Sequence, residues 1–350
     1  MALLETDLSM EQPLPQQDII VIGASAGGVE ALTTIARALP PTLPAAVFVV
    51  LHGPADSPSL LPISLDWNGP LPAVHAADYL PIQHGHIYVA PADHHLIVDH
   101  GHMRVVRGPK ENRHRPAVDP LFRSAAQAYG PRVVGVVLTG ALDDGTAGLC
   151  AIKQCGGVAV VQDPNDALYR GMPSSALRNV DVDYCVPLKE IGPLLTQIAG
   201  EPVEVAPHSV PELIEREVIM ATGMEGEAQH MPLGTPSVFS CPECGGVLHE
   251  MHDGDYVYFR CRVGHAFGTE SMLAEQGQAL EQALWSALNT LEETANLSRR
   301  LARQAQERGQ AWLAERYHAR SQDAERNAAA IRQVLDKEQA TLPDPSQQPV

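Results

Sequence analysis

The chain has 350 residues, a formal net charge of −18, 45% hydrophobic residues and 5% aromatic ones. That length suggests two or three domains, and the negative balance argues against nucleic acid or an anionic membrane recognised by bulk charge. No stretch is long enough for a membrane-spanning helix, and the opening MALLETDLSM lacks the basic start and long apolar region of a signal peptide, so membrane insertion is not expected and a cytoplasmic location is.

In chain order, residues 1–16 are polar and proline-containing and read as a flexible arm. From Asp18 to about Ala199, short apolar runs (IIVIG, AVFVVLH, HIYVAP, HLIVDH, VVGVVLTG, GVAVVQD) alternate with helical segments such as Gly28–Leu39 and Asp119–Tyr129. Runs of this kind predict a mainly parallel sheet covered on both faces, a doubly wound α/β domain over 17–200. Residues 201–237 are rich in Pro, Glu and Met and read as a linker with one short helix in PELIEREV; 238–268 form a Cys/His module. Leucines and alanines at helical spacing predict a helical hairpin over 270–338, broken at Gly309, before a disordered tail over 339–350.

The first apolar run leads into VIGASAGGVEAL. A dinucleotide loop wants G-x-G-x-x-G and a carboxylate some twenty residues later. Here Ser25 occupies the second glycine position and the next run ends in His52; no Lys-Ser/Thr pair follows for a P-loop. The loop does match G-x-S-x-G, the nucleophile elbow, which lifts a serine at the carboxyl edge of a sheet. Backbone N–H groups at the following helix start, near Ala26, could stabilise an oxyanion. A serine nucleophile needs a base and an orienting acid. His52 ends the second predicted strand, and LTGALDDGTAG offers Asp143 and Asp144 at the end of another.

VIGASAGGVEAL, VVLHGP, NRHRPAVDPLFRSAA, LTGALDDGTAGL and YRGMPSSAL together resemble the catalytic domain of the CheB-type chemotaxis protein-glutamate methylesterases over about residues 16–200. The resemblance implies Ser25 as nucleophile, His52 as base and Asp144 as orienting acid, the last because the family's aspartate directly precedes the motif glycine, here Gly145. It implies hydrolysis of glutamyl methyl esters on chemoreceptor-type proteins in chemotaxis or related sensory signalling, with glutamine deamidation as a second activity and no catalytic cofactor. It also suggests Ala141 as a second oxyanion donor. In ENRHRP, Arg113 and Arg115 could either grip an acidic receptor segment or make internal ion pairs, and Met172, before Pro173, could either line the entrance or pack in the core. Two departures stand out. About 16 residues precede the first predicted strand, too few for the receiver domain of the best-known members. His52-Gly53-Pro54 replaces the frequent His-Met-Pro. A non-catalytic signalling adaptor, or a serine esterase with another substrate, are the competing readings.

The Cys/His module carries C-x2-C-x16-C-x3-H at Cys241, Cys244, Cys261 and His265. VLHEM and YVYFR flank HDGD, which predicts a hairpin with an Asp-Gly turn that returns the second ligand pair to the first. Four such ligands predict a closed, structural zinc site in a zinc-ribbon-like module. The mixed charge of the C-terminal helices suits packing, self-association or docking on other sensory signalling proteins rather than nucleic acid.

Overall fold

The computed structural model describes residues 16–56, 59–203, 210–223 and 234–341. The expected arm and tail lie almost wholly outside the described residues, as does much of the expected linker. Chain order begins β1 (Ile19–Ala24), α1 (Gly28–Ala38), β2 (Ala46–Leu51), α2 (Leu61–Asn68), β3 (Ala73–His75), β4 (Ile87–Val89), β5 (His95–Asp99) and β6 (His102–Val106). It continues with α3 (Val118–Tyr129), β7 (Val133–Val137), α4 (Thr146–Gln154), β8 (Val158–Gln162), α5 (Gly171–Asn179), β9 (Tyr184–Val186), α6 (Leu188–Ile198) and α7 (Glu212–Ala221). The remainder is β10 (Thr235–Ser240), β11 (Val247–Asp253), β12 (Tyr256–Cys261), β13 (Ala266–Gly268), α8 (Thr269–Glu307) and α9 (Ala311–Thr341).

Seven parallel strands form one sheet in the order β3-β4-β2-β1-β7-β8-β9. Every residue of β1 and β7 is buried, which is why their sequences are unbroken apolar runs rather than alternating ones. Alternation still sorts the side chains between two cores. Ile19 and Val21 pack with Val118, Leu121 and Phe122 of α3 and Leu149 of α4. Ile20 and Ile22 pack on the opposite face with Leu32 and Ile35 of α1, Leu65 of α2 and Leu195 of α6. The chain builds outward from β1 to β2, β4 and β3, then crosses to β7, β8 and β9. The strand order therefore switches beside β1, the place where open α/β sheets bind ligands at their carboxyl edge.

Three sequence expectations are corrected here. HLIVDH forms β5, which pairs antiparallel with β6 in a separate two-stranded sheet and does not join the main one. A short apolar run looks alike in both settings; the polar His100-Gly101 turn that folds it back is the local difference. The short helix expected within the linker forms as α7 but is packed rather than free-standing, its Ile214 entering the main core and its Glu217 buried. The Cys/His module begins at β10, three residues earlier than expected, and forms a four-stranded sheet β10-β11-β12-β13 with Gly254 in the left-handed region at the expected hairpin turn.

The chain divides into two compact units at Met272–Leu273. The first holds the α/β domain, α7 and the Cys/His module together. In the second, α8 and α9 pair as the expected hairpin. Leu288, Ala328 and Leu335 are buried against each other, and Ser321 donates to the Ala295 carbonyl at 3.1 Å. Gly309 turns the chain with φ 71°. Among the described residues no helix is long and apolar enough to cross a membrane.

Candidate active site

β1 ends at Ala24, and Ser25 is the first residue beyond it. Gly27 takes φ 76°, closed to most side chains, which lets the chain turn at once into α1. A Cβ on Gly23 would sit 2.3 Å from Val118 Cγ1, so that glycine admits α3 under the turn. In the parallel register Ala24 faces Leu51, so Ser25 and His52 are the paired residues just past two adjacent strands; His52 N donates to the Ala24 carbonyl at 3.1 Å. On the other flank Ser25 N donates to Thr139 O at 3.0 Å, beyond the end of β7. A Cβ on Gly140 would lie 2.8 Å from that of Ser25, so the loop carrying the two aspartates passes close against the serine.

The histidine meets its acid directly. His52 Nε2 and Asp144 Oδ2 are 2.6 Å apart, with both side chains buried. Asp144 Oδ2 also accepts Val118 N at 2.7 Å, and Oδ1 accepts Asn112 Nδ2 at 2.9 Å and Gly145 N at 3.0 Å. Burial by itself would raise this carboxyl. The hydrogen bond and charge of His52, with the Val118 and Asn112 donors, outweigh burial and hold it below the usual carboxylate range. The other ring nitrogen, His52 Nδ1, is buried and has no hydrogen-bond partner among the described residues. An imidazole whose Nε2–H is committed to a carboxylate keeps a free lone pair at Nδ1, the arrangement a general base requires.

Residues the sequence reasoning passed over complete the site. His114 stacks on His52 with ring centroids 3.7 Å apart and planes 9° from parallel. Burial, then the charge of His52, push its pKa down to about 3, so His114 is a neutral plate that fixes the base's orientation. Asn112 donates to Asp144 and, at 2.7 Å, to Asp119 Oδ2. Burial and the neighbouring Asp144 charge raise the Asp119 carboxyl well above its usual range, which leaves Asp144 as the ionised member of the pair. The motif ENRHRPAVD contains all three residues, but its arginines drew attention because exposed cations are the usual grips for acidic partners. Of the two readings left open for Arg115, the internal one holds: it donates to Asp93 Oδ1 at 2.6 Å and to the Gly108 carbonyl at 2.7 Å. Met172 is fully buried, its Sδ against Gly140, so it packs beneath the Ser25 loop rather than lining an entrance. Ala26 lies in the elbow turn and Ala141 is exposed in the opposing loop. Arg113 sits at φ 74° beside the stacked histidine.

Asp143, the alternative acid, points elsewhere. Its carboxylate accepts Glu270 N at 2.9 Å, Ser271 N at 3.2 Å and the Ser271 hydroxyl, capping the start of α8. Burial raises its pKa to about 6. Beside His52, a cavity of about 340 Å³ opens between β2 and α2, lined by Leu51, Leu60, Leu61, Val89 and Pro116 among others. It is largely apolar and offers room for an aliphatic part of a substrate next to the base.

The Cys/His module brings its four expected ligands together. Cys241, Cys244, Cys261 and His265 each present an atom within 4.8 Å of the others. Cys244 Sγ and Cys261 Sγ are 3.7 Å apart, and His265 Nδ1 lies 3.7 Å from Cys241 Sγ and 3.5 Å from Cys261 Sγ. A tetrahedron with metal–sulfur bonds of about 2.3 Å has edges of about 3.8 Å, so this set could hold a metal ion.

The CheB methylesterase family model matches residues 20–195. Two curated relatives, the protein-glutamate methylesterase/protein-glutamine glutaminases of Hydrogenovibrio crunogenus and Rhodospirillum rubrum, are each 38% identical over 183 and 192 residues, covering 51% and 53% of this chain. Those matches cover 48% and 49% of the relatives, so the chain spans about half the length of the curated relatives it matches. The crystal structure of the Thermotoga maritima CheB methylesterase catalytic domain superposes with a TM-score of 0.50 at 34% identity, covering 51% of this chain and 97% of that one.

Proposed function

Since this chain belongs to the CheB methylesterase family, we propose that it is a serine hydrolase that removes methyl esters from glutamate side chains of methylated chemoreceptor-type proteins. The observation that carries the proposal is the His52–Asp144 contact at 2.6 Å, which leaves a buried Nδ1 with no partner among the described residues on the histidine that follows the strand next to that of Ser25.

In this reading His52 Nδ1 takes the Ser25 hydroxyl proton as Oγ attacks the ester carbonyl. The tetrahedral oxyanion is met by backbone N–H groups at Ala26 and Ala141, close to the N-terminus of α1. Asp144 stabilises the imidazolium, which then returns its proton to the departing methoxide, and methanol leaves. Water, deprotonated by the same nitrogen, hydrolyses the acyl-serine and frees the glutamate. Glutamine deamidation would follow the same course with ammonia as the leaving group, and the names of the relatives support that second activity. No step needs a cofactor. The Cys241–Cys244–Cys261–His265 set supports a structural zinc ion, with no fifth ligand position called for by the chemistry. None of the six cysteines is in a disulfide, which suits a reducing, cytoplasmic setting.

Methanol release from a methylated receptor preparation by purified protein tests the activity. Ser25→Ala should lower it by roughly three or more orders of magnitude while leaving the unfolding temperature unchanged. Undiminished release by that variant would remove Ser25 from the mechanism.

A further inference from the structure

We propose that Asn112 is a positioning residue through which the Cys/His module holds the catalytic acid, so that zinc occupancy of the module sets the activity of the Ser25 site. The inference rests on the esterase reading above and adds its control.

The path is short and buried. His265 is followed directly by β13, and Ala266 of that strand accepts Asn112 N at 2.8 Å. Two residues on, Gly268 N donates to Asn112 Oδ1 at 2.8 Å. The other end of the same amide gives both its hydrogens to carboxyl oxygens, Asp144 Oδ1 and Asp119 Oδ2. Asp144 in turn holds His52. One side chain thus spans from the strand after a metal ligand to the acid that orients the base. Its amide orientation is fixed by chemistry, because an N–H faces one end and a carboxylate the other.

The neighbourhood has no slack to absorb a shift. Asn112 is 2% exposed and sits at φ 48°, a conformation asparagine tolerates better than most residues. On one side, Arg260, the residue before ligand Cys261, reaches Glu111 Oε1 at 3.2 Å and Glu217 Oε1 at 3.1 Å. Arg123 of α3 completes a fully buried set of two cations and two anions with the same carboxylates. On the other side, Asp143, next to Asp144, caps α8 directly after β13. The Cys261–His265 turn therefore sits between two anchors on the catalytic loops. Loss of metal frees that turn and removes the restraint on β13. The acid loop then loses the donor that orients it.

The test uses the full chain in zinc-loaded and chelator-treated forms, as wild type and as Asn112→Gly, which keeps the left-handed backbone while deleting the amide. Readouts are kcat and KM on a small soluble methyl ester, Ser25 labelling by a fluorophosphonate, and hydrogen exchange. Asn112→Gly should lower kcat about 10- to 100-fold with KM within about twofold, as loss of a hydrogen bond to a charged group implies. Zinc removal from wild type should lower the labelling rate by a similar factor, yet change Asn112→Gly little further, because the two perturbations act through one link. On zinc removal, exchange should rise at 117–119 and 143–146 while β1, β2 and β7 stay protected; this holds on wild type alone should the variant not fold. Equal fold-losses on zinc removal in both proteins overturn the inference. So do unchanged labelling and exchange without zinc, or collapse of the whole sheet. Wild-type protein that never labels at Ser25 sinks the esterase reading instead.

Discussion

Asp144→Asn separates the two adjacent acids and can be worked through atom by atom. The native carboxylate accepts five donors: His52 Nε2, Val118 N, Asn112 Nδ2, Gly145 N and Asp119 N. An asparagine has one acceptor oxygen. If its NH2 replaces Oδ1 it faces three N–H donors; if it replaces Oδ2 it faces Val118 N and His52 Nε2. The second placement is less costly, since the His52 ring can move its proton from Nε2 to Nδ1 and accept the amide N–H at Nε2. That tautomer carries a proton on the nitrogen that should receive one from Ser25. Turnover should then fall about 10⁴-fold, about 5 kcal/mol of transition-state stabilisation. The orphaned Val118 N–H should cost roughly 1–3 kcal/mol of stability. The native contribution of Asp144 carries the sign of a depressed carboxyl: it is in place above the unfolded carboxyl pKa and is lost only as pH falls through the lower folded value. The assay is kcat/KM on a soluble methyl ester beside thermal unfolding of the same preparations, with Asp143→Asn as the control. Asp143 does not touch His52, so that variant should stay within about tenfold of wild type. The reverse order of the two variants, or an Asp144→Asn enzyme within tenfold of wild type, would refute the assignment of the acid and of Nδ1 as the basic atom.

Three further outcomes follow. His114→Ala should lower kcat about three- to tenfold, matching an aromatic contact of about 0.5–1.5 kcal/mol, and His114→Phe should recover most of it; equal activities in all three proteins would show that the stacked ring does not orient the base. Asp143, raised to about 6, favours the folded state in its protonated form, so its contribution is fully present below the unfolded carboxyl pKa and is lost as pH rises through about 6. The stability of wild type relative to Asp143→Asn should therefore drop by about 2 kcal/mol between pH 4 and 7, read by denaturant unfolding at each pH; a flat difference would remove the raised pKa. Metal analysis after chelator-free purification should find about one zinc per chain, and Cys244→Ser should release it and lower the unfolding temperature; native protein without zinc would leave the four ligands as a thiol cluster only.

The local chemistry was legible along the chain because it is written at short range. A glycine-flanked serine after an apolar run defines an elbow, and C-x2-C with C-x3-H around a hairpin defines a ligand set; both depend on spacing over a few residues. The parallel sheet followed from unbroken apolar runs, and the C-terminal hairpin from helical periodicity and Gly309. The choice of Asp144 over Asp143 came from resemblance, because two adjacent carboxylates look alike until a helix start, here Glu270 and Ser271, claims one of them. What the sequence left undecided lies between segments far apart in the chain. For Arg115 the sequence left a partner grip and an internal ion pair open until Asp93 closed on it, and for Met172 a rim and a packed position until Gly140 lay against it. His114 and Asn112 show no signal of their own, since a stacked ring or a bridging amide exists only when the loop over 110–117 folds between β2, the acid loop and β13. The Cys/His module likewise reads as an appendage, and its place against the catalytic loops is set by Arg260, Glu111 and Glu217, 149 residues apart at the widest pair. Spacing encodes what neighbours in sequence do to each other, whereas a buried ion pair between distant segments is decided by which surfaces the packed layers bring together.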